Sequence, residues 1–350
     1  MIKRILFNPL YLIITTVILL TSCQSGIRKL HKPANGLTFA FYNVENLFDT
    51  IDDTRINDEE FLPSGKGQWN TQKFNHKLDN MARVIASMDT TDFPDMIGLA
   101  EIENVEVLKL LVANELIEDA GYEIIHFPDH DDRGIEVAFM YRPEFFRPVT
   151  SRPLDFVIDS LPKSNPRHIL YVKGVVATKD TLHIFINHWT SRYGGKDETI
   201  EARNAAGAFM RKVADSLFQT DADVNIIIAG DLNDNPNDVS LIEHLKALPV
   251  SSAAEPKQLY NLALNSFLAG NGTLYYKSWD FFDQIILSTN LMQSANGKMK
   301  AGEIQIIKPD WILYKTKEGI GKPNRTYSGG KYFGGYSDHL PVMFRLSYIN

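Results

Sequence analysis

The sequence predicts an α/β fold built on mixed sheets, and three observations carry that prediction. Apolar runs of strand length alternate with segments of helical periodicity along most of the 350 residues. Two neighbouring strands read as a hairpin, which a purely parallel sheet does not contain. Polar residues recur at the C-terminal ends of strands, Asn43, Glu101, His188 and Asp231 among them. In α/β sheets, loops converge on ligand sites at such ends.

Taken in order, the chain begins with Lys3 and Arg4, an apolar run over Tyr11–Leu20, and Leu-Thr-Ser ending at Cys23. A basic start, a short apolar stretch and small residues at the end mark a secretory signal. The apolar run is about half of the roughly 20 residues a membrane span needs. The tetrad also resembles the bacterial lipobox, so residues 1–22 read as a lipoprotein signal peptide and Cys23 as the lipid-bearing first residue. The competing readings are a buried N-terminal strand or a plain anchor. Residues 23–36 are polar with Gly and Pro and read as a tether. One domain, residues 37–350, follows without a second linker or repeat. The expected location is outside the cytoplasm, lipid-anchored to a bacterial membrane on its periplasmic or cell-surface face.

Leu37–Asn43 is apolar and aromatic and predicts a strand. Phe74, Leu78, Met81, Ile85 and Met88 recur at helical spacing. Met96–Glu101 is a short strand, and Leu108, Leu111, Val112 and Leu116 mark the next helix. Ile135–Tyr141 is a strand, and Ile169–Thr178 with Thr181–Trp189 form the hairpin around Lys179 and Asp180. A helix over Glu198–Leu217, a buried strand ending in Asp231, and strands at Asp283–Ser288 and Leu340–Leu346 complete the pattern.

The single cysteine excludes an intramolecular disulfide and a cysteine-based zinc cluster. The net charge of −7 becomes two units more acidic once residues 1–22 are removed. Polyanion binding ordinarily rests on Lys and Arg. A nucleic-acid substrate therefore requires local basic groups or bound cations. Nothing in the sequence calls for an obligate protein partner.

Asp231 and Asn233 stand one residue apart after Gly230, so an extended chain would aim both at one site. Asn43 and Glu45 repeat that spacing. Each pair has a plain alternative, a turn for the first and a helix cap by Asn43 for the second. Glu101 is either a solvated rim charge or a ligand for a hard cation. His188, with Arg192 beyond it, is either structural or an anion contact. Asp283 either caps a backbone group or accepts a proton from a distant histidine. Together these groups supply oxygen donors and imidazoles but no thiolate, a set suited to Mg²⁺ or Mn²⁺ and to hydrolysis of a phosphate ester.

The order Asn43, Glu101, His188, Gly-Asp231-x-Asn233, Asp283 and Ser337-Asp338-His339 resembles the endonuclease/exonuclease/phosphatase superfamily, the fold of deoxyribonuclease I. The match runs from about Phe39 to Val342. The resemblance implies a four-layer α/β/β/α sandwich, two packed mixed sheets with outer helices. It implies that Glu101 and Asp338 bind the divalent cation, with Asn43 in or beside that shell and Glu45 near it. Asp231 and Asn233 would orient water and phosphate; His188 and His339, the latter paired with Asp283, would contact the phosphate. The general base is left between Asp231 and the His339–Asp283 pair. Segments such as "NVENLF", "AEIEN" and "NHWTSR" look like a bacterial secreted-nuclease branch, in which Arg133 fits as a phosphate contact. Ala100 and Gln284 replace the glutamine and tyrosine that many relatives carry.

The function expected is that of a metal-dependent phosphodiesterase, foremost a secreted or surface nuclease acting on DNA or RNA. The alternatives are an inositol-phosphate phosphatase or sphingomyelinase-type phospholipase of the same fold, or an inactive surface binding protein. The aromatic stretch Tyr275–Phe282 leads straight into the Asp283 strand, which predicts core packing rather than a membrane-inserting hairpin.

Overall fold

Strand residues alternate faces, and here both faces of each central strand are apolar. In the strand Leu37–Leu47, Phe39 and Phe41 face one way, while Ala40, Tyr42 and Val44 face the other. In Asn225–Asp231, Ile227 and Ala229 oppose Ile226 and Ile228 in the same manner. A sheet apolar on both faces must be covered on both, which requires layers.

The computed structural model describes residues 29–158, 161, 166–250, 255–293 and 298–349. The signal-peptide and lipid-anchor reading falls on residues outside that set. No helix among the described residues is long and apolar enough to cross a membrane.

Two sheets of seven strands each form the middle of the molecule. The first runs Met299–Ala301, Val342–Tyr348, Leu37–Leu47, Met96–Ile102, Glu136–Tyr141, Glu123–His126, with Gln305–Ile306 also on Val342–Tyr348. The second runs Phe146–Leu154, Ile169–Val176, Thr181–His188, Asn225–Asp231, Asp283–Ser288, Leu259–Asn261, Ala247–Pro249. Each sheet is mixed: Leu37–Leu47 pairs parallel with Met96–Ile102 but antiparallel with Val342–Tyr348. Thr181–His188 likewise pairs parallel with Asn225–Asp231 and antiparallel with Ile169–Val176.

The sheets pack face to face through Phe39, Phe41 and Phe139 on one side and Ile184, Ile186, Ile227 and Ile285 on the other. Gly98 is one cause of the close approach, because a Cβ there would lie 2.7 Å from the Ile186 Cδ1. The helices Thr71–Ser87 and Val105–Val112 cover the outer face of the first sheet, and Ile200–Thr220 covers the second. The architecture is the expected four-layer sandwich. Leu116 departs from the reading: the helix ends at Val112 and Leu116 is 43% exposed. A turn centred on Asn114, whose Oδ1 accepts from the Leu116 amide, stops it.

His183 lies on the outer face of the second sheet, with its Nδ1 2.9 Å from the Tyr171 hydroxyl. Burial, aided by Lys173, pushes its pKa from 6.5 down to about 4. Between those values the unfolded chain binds a proton that the folded chain refuses, so stability falls as pH drops through that window. His183→Gln should flatten this acid limb by on the order of 2 kcal/mol after allowance for solvent screening. Urea titrations of both proteins on either side of the window measure it.

Candidate active site

Two strands of the first sheet end in irregular pairing, and the irregularity aims their side chains. The register with neighbouring strands shifts between Asn43 and Leu47, and again between Ala100 and Ile102. At those shifts Glu45, Asn46 and Glu101 have φ of 52°, 55° and 66°. Such left-handed backbone costs a non-glycine residue on the order of 1 kcal/mol or more, and it collects at functional sites. Asn233 repeats it with φ 51°. The same-face expectation for Asn43/Glu45 and for Asp231/Asn233 is thereby corrected, since period-two alternation fails where φ turns positive. Asn43 and Glu45 meet different partners.

The Asn43 Nδ2 donates to Glu101 Oε1 at 3.2 Å and to Asp231 Oδ2 at 2.9 Å, tying the two sheets together. Its Oδ1 accepts from the Glu45 amide at 3.0 Å, which fixes the orientation. Asn43 therefore presents hydrogens to the carboxylates. It positions Glu101 and Asp231, which places it beside the expected metal shell, with its NH₂ toward the carboxylates.

Asp231 is buried between two imidazoles. The Nε2 atoms of His188 and His339 each lie 3.7 Å from its Oδ2. Its Oδ1 accepts from the Asn233 amide at 3.0 Å. Gly230 makes the position tenable, since a Cβ there would lie 2.2 Å from the Asn187 carbonyl oxygen on the adjacent strand. Asn233 donates its Nδ2 to the Trp189 carbonyl at 3.1 Å, which closes the loop over Asp231. Burial first, then Asp283 and Glu101, push the Asp231 pKa to about 7 against the pull of His339 and Asn43.

His339 Nδ1 lies 2.7 Å from Asp283 Oδ2. Burial opposes a charge on the ring, but Asp283 and Asp231 outweigh it and hold the pKa well above 6.5. The protonated ring then donates to Asp283 through Nδ1 and directs Nε2–H into the cluster. Ser337 anchors this segment: its hydroxyl donates to the Asn43 carbonyl at 2.8 Å and accepts from the His339 amide at 3.0 Å. His188 is the opposite case. Burial, then Arg167, Arg133 and His339, hold its pKa well below 6.5, so it is neutral.

The remaining acids surround two cations, Arg325 and Lys77. Glu45 Oε1 accepts from Arg325 Nε at 3.0 Å, and Asp338 Oδ2 from Arg325 Nη2 at 2.8 Å. Lys77, wholly buried on the helix Thr71–Ser87, holds Nζ 3.9 Å from Glu45 Oε2 and donates to Thr326 Oγ1 at 2.8 Å. Burial pulls its pKa to about 8.

Sequence reasoning missed both, and a third cation, Arg167. Lys77 left a signal, an ammonium within the apolar stripe of Phe74, Leu78 and Met81. Arg167 donates Nη1 to the carbonyls of His188 and Trp189 at 3.1 Å each, with Nε on Asp131 at 2.8 Å. It and Arg325 lie in aperiodic segments that signal nothing. Arg133 sits beside Asp131 at 3.7 Å with half its side chain exposed, on the rim by His188. Of the two readings of Arg192, the geometry favours the supporting one: its guanidinium is engaged by Asp234 at 2.8 Å, Asp238 at 2.5 Å and the Asn233 carbonyl at 2.8 Å, so it braces the loop that carries Asn233. The core packing expected of Tyr275–Phe282 holds for part of the stretch. Leu274–Tyr275 and Trp279–Asp280 pair as a small hairpin, Leu274 bridges His339, and Tyr276 is 80% exposed, while Phe281 and Phe282 enter the core and Trp279 packs against it.

Five carboxylates thus gather in one region: Glu45, Glu101, Asp231, Asp283 and Asp338. Such an excess of oxygen acceptors fits a hard divalent cation. Asp283 Oδ1 is buried without a hydrogen-bond partner among the described residues, and ligand atoms of Asp231, Asp283 and His339 lie within 4.8 Å of one another. A ligand must be deprotonated, however, and His339 holds its proton against Asp283. Glu101 and Asp338, both within electrostatic reach of Arg325, are acceptor-only and also suit a cation, while the His339–Asp283 pair suits the movement of a proton.

Fold and site define the class: a hydrolytic centre of carboxylates and imidazoles at the strand ends of a four-layer sandwich. The chain belongs to the endonuclease/exonuclease/phosphatase family, whose model matches residues 38–348. Members of that family are metal-dependent phosphoesterases. Among solved structures it is similar to Bacteroides thetaiotaomicron mannosyl-6-phosphatase, 18% identical with TM-score 0.55 over 89% of this chain and 100% of that one. It is also similar to a D. rerio TDP2 humanized by 14 mutations, 16% identical with TM-score 0.53 over 89% and 98%. The human Nocturnin catalytic domain with bound sulfate is 13% identical, with TM-score 0.54 over 90% and 95%. At these identities the likeness is one of fold. No curated protein matches the chain.

Proposed function

We propose that the protein is a divalent-metal-dependent phosphodiesterase, using Mg²⁺ or Mn²⁺, that cleaves DNA or RNA outside the cytoplasm while anchored through a lipid on Cys23. One observation carries the chemistry: a buried Asp231 of raised pKa lies between the Nε2 atoms of a neutral His188 and of His339 backed by Asp283. A base near neutrality suits abstraction of a proton from water. His188 and His339 are placed to donate to the non-bridging oxygens of a phosphate, where charge grows as the ester breaks. A cation held by Glu101 and Asp338 would supply Lewis-acid polarisation of a phosphoryl oxygen.

Exposed rings favour a nucleic acid. Tyr276 stands on the hairpin joined to His339, and Tyr193, 91% exposed, on the loop after His188. Rings beside a phosphate site are stacking platforms for unpaired bases. The acidic net charge of −7 favours a second reading, a phosphatase for small sugar or inositol phosphates.

One experiment tests both anchor and substrate. The full chain expressed in a bacterium should appear in the membrane fraction, and Cys23→Ala should release it. The purified protein should cleave DNA or RNA with Mg²⁺ or Mn²⁺ and lose that activity in EDTA. Release of inorganic phosphate from sugar or inositol phosphates, with nucleic acids untouched, would establish the second reading instead.

A further inference from the structure

Arg325 occupies an unusual position, between the small hairpins Leu313–Lys315/Gly321–Pro323 and Tyr327–Ser328/Lys331–Tyr332. Its side chain is 48% exposed, yet its guanidinium ends on carboxylates of the active site. It bridges Glu45 at 3.0 Å and Asp338 at 2.8 Å, and Glu101 also lies within electrostatic reach. The neighbouring cation is anchored differently. Lys77 is buried and held by Thr326 and by the Tyr336 carbonyl at 2.5 Å, so it has nowhere to go. Arg325 has solvent behind it.

We propose that Arg325 is a displaceable stand-in for the divalent cation. It pairs Glu45 and Asp338 while the metal is absent, yields them when the metal arrives, and then offers its guanidinium to the anionic substrate. The inference rests on the metal-dependent reading above. A guanidinium and a divalent cation seek the same carboxylate oxygens and repel each other when both are present. The half-exposed ion pair is weak enough to open. Glu45 does not lose its hold on the fold when Arg325 leaves, because its Oε2 still accepts from the Thr326 amide at 2.6 Å, with Lys77 close by. Freed, the fork matches two phosphate oxygens. The arrangement orders binding: metal first, phosphate second.

Manganese titration of the full chain, read as loss of the free-ion paramagnetic resonance signal, tests this without turnover. Arg325→Gln should bind Mn²⁺ about tenfold more tightly than wild type, the factor expected if the open state is populated about one time in ten. Arg325→Lys keeps the charge but cannot bridge both carboxylates, so it should tighten as well. In the Mn²⁺-loaded proteins, inorganic phosphate should bind more weakly to Arg325→Gln than to wild type. Circular dichroism in EDTA verifies that each variant is folded. Unchanged or weaker Mn²⁺ binding by Arg325→Gln overturns the proposal, as does an Arg325→Lys variant with wild-type affinity, which would mark a mere charge effect. Arg325 still bonded to Glu45 and Asp338 in a Mn²⁺-loaded crystal overturns it too. If wild type and variants all fail to bind Mn²⁺, the metal-dependent reading falls with it; equal binding by all sinks this inference alone.

Discussion

Asp231→Asn should lower turnover by at least about 10²-fold, the scale of a lost general base, while the protein stays folded. Asparagine keeps the size of the side chain, and its Oδ1 can still accept from the Asn233 amide. The basic oxygen between the two imidazoles is replaced by an NH₂, and with it goes the acceptor for the Asn43 Nδ2. The stability side has a definite sign. The Asp231 pKa is raised to about 7 by burial first and then by Asp283. A carboxyl of raised pKa retains a proton that the unfolded chain releases, so its contribution to stability declines as pH climbs towards the folded pKa. The uncharged amide of the variant would carry no such pH-dependent penalty, which offsets the lost Asn43 hydrogen bond above neutrality. Tm should therefore hold or rise above neutrality even as the rate collapses, a trade expected of groups kept for chemistry. Thermal melts and initial rates on the same preparation measure both. A variant that loses rate and stability together would assign Asp231 a structural role.

How much of this was legible beforehand depended on periodicity. Strands such as Asn225–Asp231 announce themselves by apolar runs, and their final residues were readable as site residues because a charge at the end of such a run has few other uses. The strand-end rule therefore located Asn43, Glu101, His188 and Asp231. What it could not convey was direction. Glu45, at a register shift, and Asn233, just past its strand, adopt left-handed backbone, so two-residue alternation did not describe them. The orientation of Asn43 was hidden too, because a sequence cannot show which end of an amide faces the acids. Arg192 was left between a supporting role and an anion contact for a related reason. Its partners Asp234 and Asp238 are about 40 residues distant, and only the fold reveals that they saturate it. Arg325 is the converse, a residue without pattern that the fold carries to Glu45, 280 positions earlier.

The largest effect should come from the His339–Asp283 pair, and its diagnostic is failure to add. Asp283 enters its strand opposite Asp231, and its Oδ2 meets His339 Nδ1 at 2.7 Å. Among the described residues, no other side chain hydrogen-bonds that ring. His339→Ala removes the donor itself and should cost about 10²–10⁴-fold in single-turnover rate. Asp283→Asn leaves the ring but offers it an amide, which can hold the wrong tautomer, as the corresponding change does in a serine-protease triad at a cost of about 10⁴-fold. Because Asp283 acts through His339, the double variant should be no slower than His339→Ala alone. The pH profile separates orientation from plain unfolding. Asp283 is the foremost influence raising the His339 pKa against burial. Without it the ring releases its proton at lower pH, so the alkaline limb of the rate profile should move toward acid in Asp283→Asn. Losses that multiply in the double variant, or an alkaline limb that stays in place, would mean that the two residues act separately and that Asp283 serves the fold rather than the histidine.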